Sequence, residues 1–310
     1  MRLSKVLLFH KRSTYQLQAV EFQDERFIQL LEEEHQAVKR VEKAHIEHLN
    51  TLERLNTELK ARNIIVETKA RSTLDNNIKD IDLLISVGGD GTFLDASHYL
   101  QKIPILGVNS ATSSSIGHFC LATEKDIGQV LDKIKQDKLS PIEIMRLEAS
   151  LNGNILPHCA LNEILVAHKS PAGTSRYIIN LNGHTEEQLS SGVWIGSPAG
   201  STGALQAAGG AVMPITAREF QYVVREPYFH HGRPNKLIKG QLHDLSEVKI
   251  ISQMRTGAIF IDGQHLEYPF RIGDELIIKA SPNFLNAFVD PKVNDRFVNE
   301  ATQKLTKSHG

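Results

Sequence analysis

The chain has 310 residues, with 35 Lys and Arg against 36 Asp and Glu, a net charge of −1 and 14 histidines. At about 100–200 residues per domain, that length holds two domains or one large one. Apolar residues at 41% and charged residues at 23% exclude wholesale disorder, a collagen-like repeat and a disulfide-stapled miniprotein. A charge near zero leaves no overall field to draw in nucleic acid or an acidic membrane.

The N-terminus reads MRLSKVLLFHKRSTY, and its apolar run, Val6–Phe9, is too short for a signal-peptide core and reads as a strand. No window approaches the roughly 18 apolar residues needed to cross a bilayer. Cys120 and Cys159 are the only cysteines and lack metal-type spacing. They read as two buried thiols in a reducing compartment, which sets the cytoplasm as the expected location. A long polar helix is expected over about 24–62, where Phe27, Leu30, Leu31, Val38, Val41 and Ile46 recur near helical spacing. Its Glu32–Glu34 run and Lys39-Arg40 pair read as an exposed face with i,i+4 ion pairs. His45 and His48 have metal-ligand spacing, but with no cysteine or carboxylate partner evident they read as a solvated face. Ile64–Glu67, Ile81–Val87 and Pro104–Val108 read as further strands; 92–101 and 124–137 read as helices, the second capped by Thr123. This alternation argues a Rossmann-like parallel-sheet domain over 1–140.

Past Pro141 the pattern changes. Short β-like runs follow at 147–151, 164–168, 177–181, 193–195, 248–251, 258–261 and 275–279. Among them stand Asn152-Gly153, Asn182-Gly183 and Asp262-Gly263, pairs that favour hairpin turns with positive φ. Residues 141–284 therefore read as an antiparallel, β-sandwich-like domain, and 285–310 as a return to the first domain, loose from 306 on. Trp194 reads as core, and the basic stretch around His230-His231 as a surface loop.

The sharpest feature is Gly88-Gly89-Asp90-Gly91-Thr92, directly after a buried strand and at the start of a helix. Glycines bring backbone N–H groups close to a ligand, and a helix N-terminus adds unpaired donors and a positive dipole end. Together they make an anion site, most often for phosphate. Asp90 amid phosphates fits phosphoryl transfer, where an aspartate takes the proton of an attacking hydroxyl; the plain alternative is an Asp-Gly turn. The string is neither a P-loop nor a dinucleotide fingerprint, which disfavours a nicotinamide dehydrogenase. Asn162-Glu163 sets an amide beside a carboxylate, a pair able to hold the two hydroxyls of a ribose, or else an exposed strand end. The small-residue segment Gly196–Gly210, containing Gly200-Ser201-Thr202-Gly203, offers hydroxyls and N–H groups to a nucleotide, or forms a tight turn beside a close-packed helix.

These strings, in this order and with Asp262-Gly263 after them, resemble the NAD kinase family. Gly107-Val108-Asn109 matches that family's Gly-Ile-Asn strand end, and Lys11–Tyr15 and Val224–Pro227 resemble its mitochondrial-type branch. The resemblance covers nearly the whole chain. It implies an α/β domain joined to a β-sandwich-like domain, with the site in the cleft and subunits paired as a homodimer or homotetramer. It implies phosphorylation of the adenosine 2′-hydroxyl of NAD by ATP, with Mg²⁺ or another divalent ion and no direct protein ligand to the metal. On the same ground Asp90 is the base, Gly88, Gly89, Gly91, Thr92 and Asn109 hold phosphates, and Asn162, Glu163, Ser201, Thr202 and Gly203 hold NAD. The family's stacking aromatic is Ala204 here, and two of its hydroxyl residues are Ala199 and Ala207; His118, beside Phe119, is the candidate ring in their place. A diacylglycerol- or sphingosine-type lipid kinase is the alternative enzyme, since such kinases share the GGDGT loop. The three alanines motivate a catalytically weak NAD(P)-binding sensor.

Overall fold

Val6, Leu7, Leu8 and Phe9 are all buried, as a strand covered on both faces must be. They lie in β1 (Lys5–His10) of a sheet that also contains β2 (Ile65–Ala70), β3 (Leu83–Gly88), β4 (Ile105–Asn109) and β5 (Cys120–Thr123). The computed structural model describes residues 3–70, 78–228, 235–295 and 297. Two compact units divide the chain: Met1–Ile142 with Leu285–Asp290, and Glu143–Phe284 with the described residues after Asp290.

In the first unit the order is β2-β1-β3-β4, followed by the strand Leu285–Phe288. β1 pairs in parallel with β2 and β3, and β3 with β4. β4 divides its outer edge. Ile105 and Leu106 pair with Ala287 and Phe288, while Gly107–Asn109 pair with β5. The return strand thus covers Leu285–Phe288; the sequence reading carried the return through 310, of which 296 and 298–310 lie outside the described residues.

One face of the sheet is covered by α2 (Val41–Ala61) and α4 (Ile127–Lys135), through Leu55, Leu59, Ile127 and Leu131 on Val6, Leu8, Ile85 and Val108. Burying each such leucine stabilises by about 1.5–3 kcal/mol. Arg62, at the end of α2, grips Asp132 of α4 through two 2.8 Å bonds, a fork that fixes the helices against each other. The expected 24–62 helix is broken. A π-helical turn covers Gln16–Glu21, α1 runs only Glu25–Glu32, and turns fill the gap before α2. Glu32–Glu34 and Arg40 are exposed, but the i,i+4 ion pairs form further on, at Arg54–Glu58 and Glu58–Arg62. α4 starts at Ile127; Thr123 does not cap it but gives its hydroxyl and N–H to Asp126. No described helix is long and apolar enough to cross a membrane.

The second unit holds two six-stranded sheets, antiparallel at every paired edge described. One runs His184–Ser190, Ser175–Leu181, Glu247–Ser252, Glu275–Ala280, Leu147–Leu151, Asn154–Ile155. The other runs Lys239–His243, Glu219–Val224, Val193–Gly196, Glu163–His168, Gly257–Ile261, Leu266–Phe270. Tyr177, Ile179 and Ile250 from the first meet Ile164, Ile195 and Phe220 from the second in one core, a sandwich. Asn152-Gly153, Asn182-Gly183 and Asp262-Gly263 all have positive φ, as their turns require. Trp194 alternates away from core residues Val193 and Ile195; it is half-buried on the outer face under the Arg225 guanidinium, not core. The stretch around His230-His231 lies outside the described residues.

Candidate functional site

Every residue of β3 up to Gly88 is buried, and both neighbours hold its end. Lys11, just past β1, donates its N–H to Val87 O at 3.3 Å; Ser110, just past β4, donates to Gly88 O at 2.9 Å. The chain then turns through Gly89, the N-cap, into α3 (Asp90–Ser97), two residues earlier than expected. A Cβ at Gly88 would collide with the Thr92 side chain, and one at Gly89 with the Ser115 hydroxyl. Nothing lies within 4 Å of where a Gly91 Cβ would stand, so the turn is open there. The N–H groups of Asp90 and Gly91 find no acceptor among the described residues. Two free donors at the positive end of a helix favour an anion.

Asp90 Oδ1 accepts the Phe119 N–H at 2.9 Å, which fixes the carboxylate; its other oxygen makes no bond among the described residues. Burial, and then the charge of Asp90, pushes the Cys120 thiol up to about 12. Thr92 and Asn109 are buried. The Asn109 amide is committed to the segment that follows it, donating to Ser115 O and accepting from Ala111 N–H. That segment lies against Gly89 through Ser115. Phe119 is buried and stacked on Phe93, which leaves His118 as the half-buried ring of the pair.

In the second unit, Asn162 and Glu163 open the strand Glu163–His168. Their backbone is held by Asp262, whose carboxylate accepts three consecutive N–H groups: Leu161 (2.7 Å), Asn162 (2.7 Å) and Glu163 (3.1 Å). Asp262 N–H returns a bond to Glu163 O at 3.0 Å. Arg146, 2% exposed, lies in the same neighbourhood; burial lowers its affinity for its proton, and Cys159 and Asp262 oppose that. Asn162 Oδ1 is buried without a partner, and it alone among the described side-chain oxygens and nitrogens. Such an orphan acceptor asks for a donor from a ligand. The Glu163 carboxyl is pushed up to about 8, by burial first and the charge of Asp262 second.

The Gly-Ser-Thr segment forms a short 3₁₀ turn, Ala199–Thr202, directly on this pair. Ser197 N–H donates to Asn162 O at 2.9 Å, and Ser197 Oγ donates to Leu161 O. A Cβ on Gly200 would stand 2.5 Å from Asn162 O. Ser201 is fully buried; its hydroxyl donates to Pro198 O and accepts Met213 N–H, so it braces the turn from inside. Asn294 Nδ2 donates to Pro198 O as well, and to Met213 O. Thr202 is half-buried and Gly203 exposed, so these two are the residues the turn presents outward. Sequence reasoning missed the buttresses Ser197, Arg146 and Asn294, whose partners are far away in the chain. Among the described residues no three His, Cys, Asp or Glu side chains converge as a metal site. His48 is 2% exposed, which overturns its reading as part of a solvated face; His45 is half-buried.

Two tests follow from this geometry. Gly200→Ala must push the Asn162 backbone, so it should destabilise by about 1–3 kcal/mol and weaken dinucleotide binding, read by thermal melting and calorimetry. Glu163 ionises near 4.5 when unfolded but about 8 when folded. The contribution of Glu163 to stability should therefore be full below pH 4.5, fall as pH rises towards 8, and level off above. Urea melts of wild type and Glu163→Gln across that window check this: the stability of the wild type relative to the variant should fall as pH rises from 4.5 to 8 and stay constant above.

Comparison with known proteins agrees with this architecture. Residues 6–139 match the ATP-NAD kinase N-terminal domain family. A probable NADH kinase from Oryza sativa subsp. japonica is 36% identical over 264 residues, covering 78% of this chain and 81% of the relative. The NADH kinase of Arabidopsis thaliana is 33% identical, covering 71% and 76%. Among solved structures, an NAD kinase from Archaeoglobus fulgidus in complex with ATP superposes with a TM-score of 0.67 at 21% identity, covering 94% of this chain and 96% of that one. Yeast NADH kinase complexed with NADH gives 0.66 at 17%, covering 96% and 87%. The fold is shared with both, and the long match to the rice relative places the chain in the NAD kinase family.

Proposed function

We propose that the protein transfers the γ-phosphoryl group of ATP to the adenosine 2′-hydroxyl of NAD, giving NADP. The observation that carries this is Asp90: one oxygen is pinned by the Phe119 N–H, while the other oxygen and the two amides that open the helix have no partner among the described residues. The amides of Asp90 and Gly91 take the donor's terminal phosphate oxygens. The free oxygen of Asp90 accepts the proton of the ribose hydroxyl as the new O–P bond forms and the bond to the β-phosphate oxygen breaks. Asn162 and Glu163 hold the acceptor ribose. Asn162 Oδ1 accepts a hydrogen bond from a ribose hydroxyl, and Glu163, protonated below about pH 8, both donates and accepts.

A divalent ion fits this arrangement as part of the nucleotide. The described residues bring no carboxylate cage of their own, so phosphate oxygens would hold it, and it would supply charge neutralisation. The family resemblance supports that ion, usually Mg²⁺, and a homodimer or homotetramer; two unpaired cysteines support a cytoplasmic setting. An unpartnered amide oxygen suits a sugar hydroxyl rather than an acyl chain, so no observation favours a lipid kinase. The purified protein should form NADP from Mg-ATP and NAD, or NADPH from NADH, read with an NADP-specific dehydrogenase. Neither product from a folded protein that binds dinucleotide would leave the sensor reading in its place.

A further inference from the structure

The loop Gly88–Thr92 has an oddity for a triphosphate site: it carries a carboxylate, Asp90, and no cation. A residue placed to supply one is Lys11. It directly follows β1, the strand beside β3, and its N–H is bonded to Val87 O, one residue before the loop. Its carbonyl is clamped by two imidazoles, accepting from His48 Nε2 at 3.0 Å and His10 Nδ1 at 3.1 Å. Since a carbonyl only accepts, His48 carries its proton on Nε2, and Nδ1 accepts from Ser110 Oγ at 2.8 Å. Ser110 in turn donates its N–H to Gly88 O. Buried His48 therefore ties together the residues that flank the end of β3 on either side.

The Lys11 side chain is half-buried, and its ammonium has no acceptor and no carboxylate partner among the described residues. Burial pushes it down from its ordinary value, and the nearby Cys120 thiol opposes that; the same thiol feels Asp90. A partly desolvated cation without an anion costs stability, and a fold keeps one where a ligand supplies the missing charge. We propose that Lys11 is a donor-phosphate ligand, held at the phosphate-binding loop by the His48–Ser110 clamp and paired when the anionic chain of a nucleoside triphosphate arrives. This rests on the kinase reading above and adds a charged contact to it.

Lys11→Met tests the assignment, because a ligand role and a packing role predict opposite combinations. As a ligand, Lys11 should leave melting temperature unchanged or raised on substitution. KM for ATP should rise about tenfold or more while KM for NAD stays within about twofold. Lys11→Arg, which keeps the charge, should recover part of the ATP affinity. A lowered melting temperature with KM for ATP unaltered would overturn the proposal. Should Lys11→Met not fold, Lys11→Gln decides by the same criteria. Calorimetric titration with Mg-ATP reads the contact without turnover. Absence of turnover in the wild type would count against the kinase reading, whereas equal Mg-ATP affinity in wild type and Lys11→Met would count against this one.

Discussion

Asp90→Asn should lower turnover by about 10²–10⁴-fold while the protein stays folded. Asparagine keeps an oxygen that can accept the Phe119 N–H, so the anchoring bond, and with it the contact between the start of α3 and the segment before β5, survives. What disappears is the free carboxylate oxygen. An amide takes no proton at neutral pH, and its N–H₂ points a donor where the reaction needs a base. The loss should fall on kcat, with ATP affinity unchanged or improved, since removing a negative charge beside the two free amides relieves repulsion of phosphate. Near-UV circular dichroism, a thermal melt and an NADP-coupled assay separate these effects. Wild-type kcat in a folded Asp90→Asn protein would remove Asp90 from the chemistry.

Asp262→Ala should have the largest effect on stability. One carboxylate satisfies the N–H groups of Leu161, Asn162 and Glu163, and truncation leaves all three without their acceptor. It also removes negative charge from the neighbourhood of buried Arg146. Unmade bonds at buried donors cost about 1–3 kcal/mol each, and breaking up buried charge adds to that, so a loss of about 3–5 kcal/mol is expected. In a urea melt the midpoint should drop with the slope unchanged. Dinucleotide affinity should fall as well, because the Asn162-Glu163 backbone loses its template. A midpoint equal to wild type would mean that the three amides find water or another acceptor, and Asp262 would then be only a turn residue.

Much of this architecture could be read from the chain. β1, β3 and β4 are short, mostly apolar runs, and Asn-Gly turns announce hairpins because few other pairs tolerate two positive φ values. Most of the strands that escaped are edge strands, although Glu219–Val224 lies inside its sheet, between Val193–Gly196 and Lys239–His243. His184–Ser190 (HTEEQLS) and Lys239–His243 (KGQLH) are polar because one side faces water, and they are strands only because a neighbour supplies the ladder. In the loop, the glycine requirement at 89 is set by Ser115, from the segment after β4, but that at 88 was legible, since Thr92 is four residues on. The burial of His48 was not: it depends on Lys11 and Ser110, brought to it by two different strands. Ser201 shows the same limit. A Gly-Ser-Thr string presents hydroxyls, but which one faces outward is decided by Pro198 and Met213, and they turn Ser201 inward and leave Thr202 outside.

The divided edge of β4 bears on how the molecule is made. Its first half waits for Ala287 and Phe288, which leave the ribosome 182 residues after their partners. Until then Ile105 and Leu106 offer a bare apolar edge on a nascent chain whose neighbouring strands are already complete. Such an edge invites pairing with a stranger. The late strand therefore acts as a clasp, and the sheet of the first unit stays unsealed until Leu285–Phe288 has been made.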